Sequence, residues 1–448
     1  MRIDRKYSDT ALFASALKIV RALSERGFPA YFVGGSVRDM LLGAEIKDID
    51  IVSPARPEEV FAIFPRCHAI GASFGIMTVI EDDIPFEVAA FREERAYMDG
   101  RHPDEIRYAD NPELDAARRD FTVNGLFYDP LNSEILDYVG GRKDLEAGIL
   151  RTIGNAEERF SEDYLRILRA VRFANRFSFE YDGQLLQAIK ALKSKVKMLS
   201  AERIRDEFNK MLTGKRPERA LKDLFDFGLL NEILPEVAAL YGVPQPVKHH
   251  PEGDVFNHVM LMLEHMSKPS VELAWSILMH DIAKPSTLSL GEDGTEHFYG
   301  HERDGAELTV PIMERLKFPR TVIEAVSEAV KNHMRFAHVH EMRASKWKRL
   351  MADANFPLEL ELHRIDCVSS HKKLQNYVLL LDRAGELAGA PAVPEPLIGG
   401  RDLLGMGFRP GPQMGKILRE ISDMQLNGEL KSRDEALAFA SKQCLSRD

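Results

Sequence analysis

The sequence predicts an α+β chain: a mixed α/β head followed by a long, all-helical body. Three observations carry that expectation. β-Rich runs are confined to the first third of the chain, helical apolar spacing dominates from about residue 157, and a Pro/Gly/His-rich stretch, YGVPQPVKHHPEG at 241–253, interrupts the helical part. At 448 residues, about three domains of ordinary size are expected. The parts fall at 1–155 (head), 156–246 (helical neck and body), 247–375 (a histidine-rich helical domain) and 376–448 (helical tail).

Taken in order, residues 8–26 have the spacing of an amphipathic helix, and 30–33 read as a short buried strand running into Gly34-Gly35. Residues 48–52, 76–80 and 84–91 are further β-rich runs. A second break lies at 389–400, with Pro391, Pro394 and Pro396, and Pro410 and Pro412 precede an amphipathic helix in the tail. Composition is that of a soluble globular protein, with 44% hydrophobic and 29% charged residues. The net charge of −10 argues against a surface given over wholly to nucleic acid. Three scattered cysteines, Cys67, Cys367 and Cys444, make neither a disulfide framework nor a zinc ribbon, which points to a reducing cytoplasm. No apolar run approaches a membrane span, and the N-terminus lacks the apolar core of a signal peptide.

The chemistry begins at YFVGGSVRDMLLG, residues 31–43. Two glycines after a strand and before a helix let backbone N–H groups approach a phosphate, and Arg38 adds a charge-assisted contact. Alone, such a pair is an ordinary turn. In KDIDIV, however, Asp48 and Asp50 stand two apart on a strand-like run, so both carboxylates face one way and can grip the same divalent cations. Glu87, in PFEVAAF, offers a third carboxylate from a neighbouring strand. In RRDFTVNG, Arg118 and Arg119 suit bidentate phosphate binding, while Asp120 and Asn124 can orient sugar hydroxyls and loop backbone.

These pieces resemble the nucleotidyltransferase superfamily that includes DNA polymerase beta, and more narrowly the class II CCA-adding enzyme and bacterial poly(A) polymerase family. The likeness continues in order through GGRKDLEAGILRTIGN (140–155), EDYLRILRAVRFANRF (162–177) and SAERIRDEFNKML (200–212). The resemblance implies a polymerase-beta-like head with a mixed sheet, then a neck, body and tail of helices. It implies Mg²⁺ at Asp48 and Asp50, CTP and ATP as substrates, and the 3′ end of tRNA as acceptor. Asp163 and Arg166, three apart on one helix face, pair an acceptor with a donor. That pair matches the amino donor and bare ring nitrogen shared by cytosine and adenine, and rejects guanine and uracil. In the resembled family these positions read the base, and the positions of Arg169 and Arg172 lie near the nucleotide and the RNA end.

The segment 91–106, FREERAYMDGRHPDEI, is full length, which in the family favours complete CCA addition over CC addition. Tyr164 stands where the family usually has proline, Gly125 where it has alanine, and Ala117 where a basic or polar residue is commoner. Twelve of the fourteen histidines lie between residues 249 and 371. His258, His280-Asp281, His301, His333 and Asp366 form an ordered imidazole and carboxylate set suited to a divalent metal. The set resembles the HD phosphohydrolase domain, which implies phosphoester hydrolysis there and phosphate contact by Lys284. The rival readings are poly(A) addition, a mainly HD-driven phosphohydrolase and a non-catalytic RNA-binding protein. Residues 159–222 hold sixteen Lys and Arg against eight Asp and Glu, which places the RNA along the neck despite the acidic total.

Overall fold

The computed structural model describes residues 3–71, 75–95, 105–248, 250–387 and 393–445. They form two compact units, Met1–Pro235 and Glu236–Asp448. In the first, strands β1 (Tyr31–Val33), β2 (Asp50–Ser53), β3 (Cys67–Gly71), β4 (Ile76–Glu81) and β5 (Ile84–Ala90) precede a ribbon of β6 (Arg92–Arg95) and β7 (Glu105–Tyr108). Strands β8 (Leu126–Asp129) and β9 (Glu134–Asp137) complete a seven-stranded sheet in the order β3-β4-β5-β2-β1-β8-β9. The sheet is mixed as expected: β2 and β5 run parallel, with Ile51 opposite Val88, and the other neighbours are antiparallel. Because Val33 lies opposite Asp50, the glycine turn leaves β1 directly beside the first residue of β2.

Helix Ala11–Glu25 packs its buried Ile19, Val20 and Leu23 inward and sets Phe13 edge-on to Phe32 at 5.2 Å. Val33, Val52, Phe91 and Phe127 form another core cluster of the head. Each large apolar side chain so buried contributes roughly 1.5–3 kcal/mol. Three expectations need correction. The helix read over 8–26 is a short turn, Arg5–Ser8, followed by a separate helix, because Thr10 is extended and its hydroxyl accepts from Phe13 N at 3.2 Å. The strand expected from residue 48 starts at Asp50, so Asp48 lies in the lead-in. The helix expected over 162–177 is broken at Asp163, whose φ of −151° separates Ala156–Glu162 from Leu165–Phe177. Residues 96–104 of the segment read for CCA addition lie outside the described residues, as does part of the break at 389–400.

In the second unit, helices Val255–Glu264, Val271–Met279, His301–Arg315, Arg320–Asn332 and Phe356–Ser369 surround a core in which Trp275 meets Phe318 at 4.8 Å. Pro412 opens helix Pro412–Leu426, as the prolines there predict; its Ile417 and Ile421 share a separate core with Leu403, Ala436 and Ala440. Among the described residues, no helix is long and apolar enough to cross a membrane. Cys67 and Cys367 are free thiols.

Candidate functional site

Gly34 caps helix Gly35–Leu41 at φ 70°, ψ −127°, a conformation open to glycine alone, and a Cβ there would stand 3.1 Å from the Arg119 guanidinium. A Gly34→Ala exchange should therefore cost about 2 kcal/mol of stability and displace Arg119. A lowered melting temperature, with KM for nucleotide raised about tenfold, checks this.

Beside that turn sit the three head carboxylates. Asp50 is half-buried, while Asp48 and Glu87 are exposed. Burial and then the charges of Glu87 and Asp48 push the Asp50 carboxyl up to about 6, against the pull of Arg119. A half-buried carboxylate whose ionisation two neighbouring acids make costly suits a place for a divalent cation. Asp48 reaches this place from the lead-in to β2 rather than by strand alternation.

Opposite lies a lattice of arginines, each held by an acid. Asp115, fully buried, accepts from Arg118 Nε at 2.8 Å and from Arg119 at 2.9 Å. Asp120 accepts from Arg169 at 2.6 and 2.9 Å and from Asn124 at 2.9 Å. Glu207 accepts from Arg172 at 2.6 Å. Arg38, expected to meet phosphate, is buried; it pairs with Asp39 at 2.8 Å and with Asn124, and lies 4.3 Å over the Phe177 ring. Asp39 also accepts from Arg176 at 2.8 Å.

Burial works to raise the Asp120 carboxyl, yet the charge of Arg169 and the bond from Asn124 bring it down to about 2. A depressed carboxylate stabilises the fold above its unfolded value and loses that contribution as pH falls through its folded one. Asp120→Asn should thus lose about 2 kcal/mol near neutrality, with the gap from wild type closing between about pH 4 and pH 2. Urea unfolding at several pH values checks this.

The helix break changes the surroundings of Asp163 and Arg166. Asp163 is not on the face of Arg166. Its Oδ1 accepts from Leu165 N at 3.0 Å, capping the second helix, and its Oδ2 accepts from Arg203 at 2.7 Å. Arg166 is buried, donating to Arg159 O at 2.9 Å, to Arg118 O at 3.2 Å and to Glu162. Tyr164 occupies the N-cap position with helical φ and no side-chain cap, so the capping duty falls to Asp163.

A cavity of about 500 Å³ nonetheless collects Gly34, Gly35, Arg38, Arg118, Arg119, Asp120, Asn124, Asp163, Arg166, Arg169 and Arg172 together with Asp50. Asp48 and Glu87 stand outside its lining. Nine arginines against three aspartates make the wall strongly cationic, as a triphosphate requires. Arg166, Arg169, Arg172 and Arg176 reach it from one helix at spacings of three, three and four. Sequence reasoning missed Asp39, Asp115, Glu207, Arg176 and Arg203. Asp115 had a local signal, standing three and four residues before its arginines; so did Asp39, next to Arg38, and Arg176, four residues after Arg172, whereas Glu207 and Arg203 had none.

In the second unit the six expected ligands do converge. His258, His280, Asp281, His301 and His333 are buried, and Asp366 joins them from helix Phe356–Ser369. Asp281 Oδ2 lies 3.0 Å from His280 Nε2, and Asp281 Oδ1 lies 3.5 Å from His301 Nε2 and 4.0 Å from His333 Nε2. Nδ1 of His280, His301 and His333 faces the carbonyls of Ile277, Phe298 and Val330 at 2.9, 2.7 and 2.6 Å. Donation there leaves each Nε2 an inward lone pair, and those of His301 and His333 stand 3.2 Å apart. His258 Nε2 and His280 Nε2 are buried without a hydrogen bond, each near a carboxylate but misaligned for one. Two groups, His258-His280-Asp281 and Asp281-His301-His333, bring their ligand atoms within 4.8 Å. Facing lone pairs and orphaned ring nitrogens fit a divalent cation.

The charges respond accordingly. Burial opposes it, but His280 and Lys284 hold Asp281 well below the carboxylate range. Burial and His280 push His333 down to about 3. Asp366 and Glu252 lift His258 to about 9 against burial, and Glu252 itself falls to about 2 under bonds from His250 and His258. Lys284, expected at phosphate, is buried and engaged, 2.7 Å from Asp281 Oδ2 and 2.6 Å from Gln245 Oε1. A cavity of about 800 Å³ opens onto the centre, lined also by Tyr299, His340 and Lys373.

Three family models match the chain: "Poly A polymerase head domain" over 30–151, "Probable RNA and SrmB-binding site of polymerase A" over 178–241, and "HD domain" over 254–366. The CCA-adding enzyme of Lactobacillus helveticus is 30% identical over 428 residues, covering 95% of this chain and 96% of its own. That of Ligilactobacillus salivarius is 42% identical over 214 residues, covering 48% and 53%. Among solved structures, the Bacillus stearothermophilus CCA-adding enzyme in complex with CTP superposes with a TM-score of 0.73 at 26% identity, covering 98% of this chain and 99% of that one.

Proposed function

The chain belongs to the CCA-adding enzymes, and from that premise we propose that it builds or repairs the 3′-terminal CCA of tRNA from CTP and ATP in the cytoplasm. The RNA 3′ oxygen attacks the α-phosphate, and the bond from that phosphorus to the bridging oxygen breaks to release pyrophosphate. Asp48 and Asp50 hold Mg²⁺, with Glu87 assisting. A cation held there would supply activation of the attacking hydroxyl and charge neutralisation on the leaving group. Gly34 and Gly35 offer backbone to the triphosphate, and Arg118 and Arg119, held in place by Asp115, grip it. Arg38 braces the glycine turn through Asn124, and Asp120 ties that loop to Arg169. Asp163 and Arg166 read the base, while Arg169 and Arg172 line the passage toward the RNA end.

The observation that best supports this reading is the single cavity that takes in all of these phosphate- and base-directed side chains beside Asp50. The family-model boundaries support a head (1–155), neck and body (156–246) and HD domain (247–375), and the separate core around Leu403 and Ile417 supports a tail (376–448). Incubation with tRNA lacking its CCA, with CTP, ATP or both, tests the function. Restored CCA that then stops is expected, and a long A tail without use of CTP overturns it.

The histidine centre supports a second, metal-dependent activity, hydrolysis of a phosphoester. His280→Ala should abolish that hydrolysis and leave CTP incorporation unchanged. Equal loss of both activities would reject two separate sites.

A further inference from the structure

We propose that Glu252 is the positioning carboxylate of His258, fixing the ring so that Nε2 faces the metal; this rests on the metal reading of the histidine centre. His280, His301 and His333 sit at helix ends, where Nδ1–H reaches the carbonyl three residues earlier, which for His301 and His333 also accepts from their own backbone N–H. His258 lies inside helix Val255–Glu264, where the backbone ladder consumes the neighbouring carbonyls. An acceptor must reach its Nδ1 from elsewhere. Glu252 does so from the turn before the helix: Gly253, at φ 111°, and the N-cap Asp254 swing the chain so that Glu252 Oε1 lies 2.7 Å from His258 Nδ1.

The same oxygen lies 2.9 Å from His250 Nδ1, and the Glu252 side chain is 5% exposed. The pair is therefore held out of water, as a hydrogen bond that orients a ligand must be. His250, Glu252 and His258 group closely enough to suggest a second cation. The separation argues otherwise: 2.7 Å is a hydrogen-bond length, whereas two ligands at right angles on one cation stand about 3 Å apart. Glu252 also lies just before the matched HD segment, 254–366.

Cobalt(II) is the probe, titrated into the full chain carrying Asp50→Ala so that only the histidine centre counts. One ion per chain is expected. Glu252→Ala should weaken binding about ten- to a hundredfold and shift the visible cobalt absorption. Glu252→Gln, whose amide oxygen still accepts from Nδ1–H, should restore the spectrum and lie within a few-fold of the parent. Circular dichroism shows which variants fold. If the alanine variant does not, the glutamine variant decides: parental spectrum with slightly weakened binding supports the proposal, and an altered spectrum overturns it. Unchanged affinity and spectrum in Glu252→Ala overturns it. So do two ions per parent chain with one lost in Glu252→Ala, since Glu252 would then be a ligand. A parent that takes up no cobalt overturns the metal reading itself.

Discussion

An Asp50→Ala chain should incorporate CTP and ATP at least about a thousandfold more slowly than wild type, and melt no lower. The first half follows from position. Asp50 opens β2 beside the glycine turn and, of Asp48, Asp50 and Glu87, is the one in the lining of the arginine-rich cavity. Losing it removes several kcal/mol of charge stabilisation from phosphoryl transfer, and each 1.4 kcal/mol is tenfold in rate. The second half follows from electrostatics. Glu87 and Asp48 repel this carboxylate and burial disfavours its charge, which is why it sits at about 6. Deleting a group the fold is working against does not weaken the fold. Single-turnover incorporation and a melting curve on the same sample check both signs. Normal incorporation would take Asp50 out of the metal site, and a large drop in melting temperature would make it a structural residue.

Asp163→Ala should lower selectivity for CTP over UTP on the order of ten- to a hundredfold while leaving triphosphate affinity little changed. Hydrogen bonds to charged groups contribute about 1.5–3 kcal/mol each, and the wrong base leaves the site's own groups unpaired. Asp163 is poised for this because both of its oxygens are fixed, one by Leu165 N and the other by Arg203. Removing it also frees Arg203 and uncaps the helix, so Arg203→Ala should reproduce a smaller part of the loss. Competition between the four nucleoside triphosphates on tRNA ending in its discriminator base measures this. Selectivity equal to wild type would end the base-reading assignment.

Much of this was legible in the sequence, for reasons that differ by residue. The glycine pair showed because only glycine tolerates the backbone Gly34 adopts. The arginines showed because three- and four-residue spacing on a helix is a direct statement of a shared face. The six histidine-centre ligands showed because their types are rare together and come in order. What stayed hidden was long-range or conformational. Glu207 lies thirty-five residues from Arg172, and no local pattern joins them. The break at Asp163 has no proline or glycine to announce it; a side chain that prefers its neighbour's N–H to the helix makes it. Asp48 and Asp50 do lie near enough to feel each other's charge, but not through strand alternation, since the strand begins two residues later than its composition suggests. Lys284 and Arg38 have their acids close in the sequence, Asp281 three residues before and Asp39 next, but proximity along the chain does not show that those acids occupy them.

The pairing of cavity arginines with buried acids has a consequence for how such a protein can change over generations. Losing Arg172 alone leaves a buried Glu207 with only the more distant Lys210, and losing Asp115 alone takes the shared acid from Arg118 and Arg119. A half-pair left in place costs about 3–5 kcal/mol, a large fraction of a domain's stability. Single drift at these positions is therefore closed, and only joint replacement is open. Relatives of this chain should keep or exchange the two members of each pair together, as 115 with 118 and 119, 172 with 207, and 163 with 203.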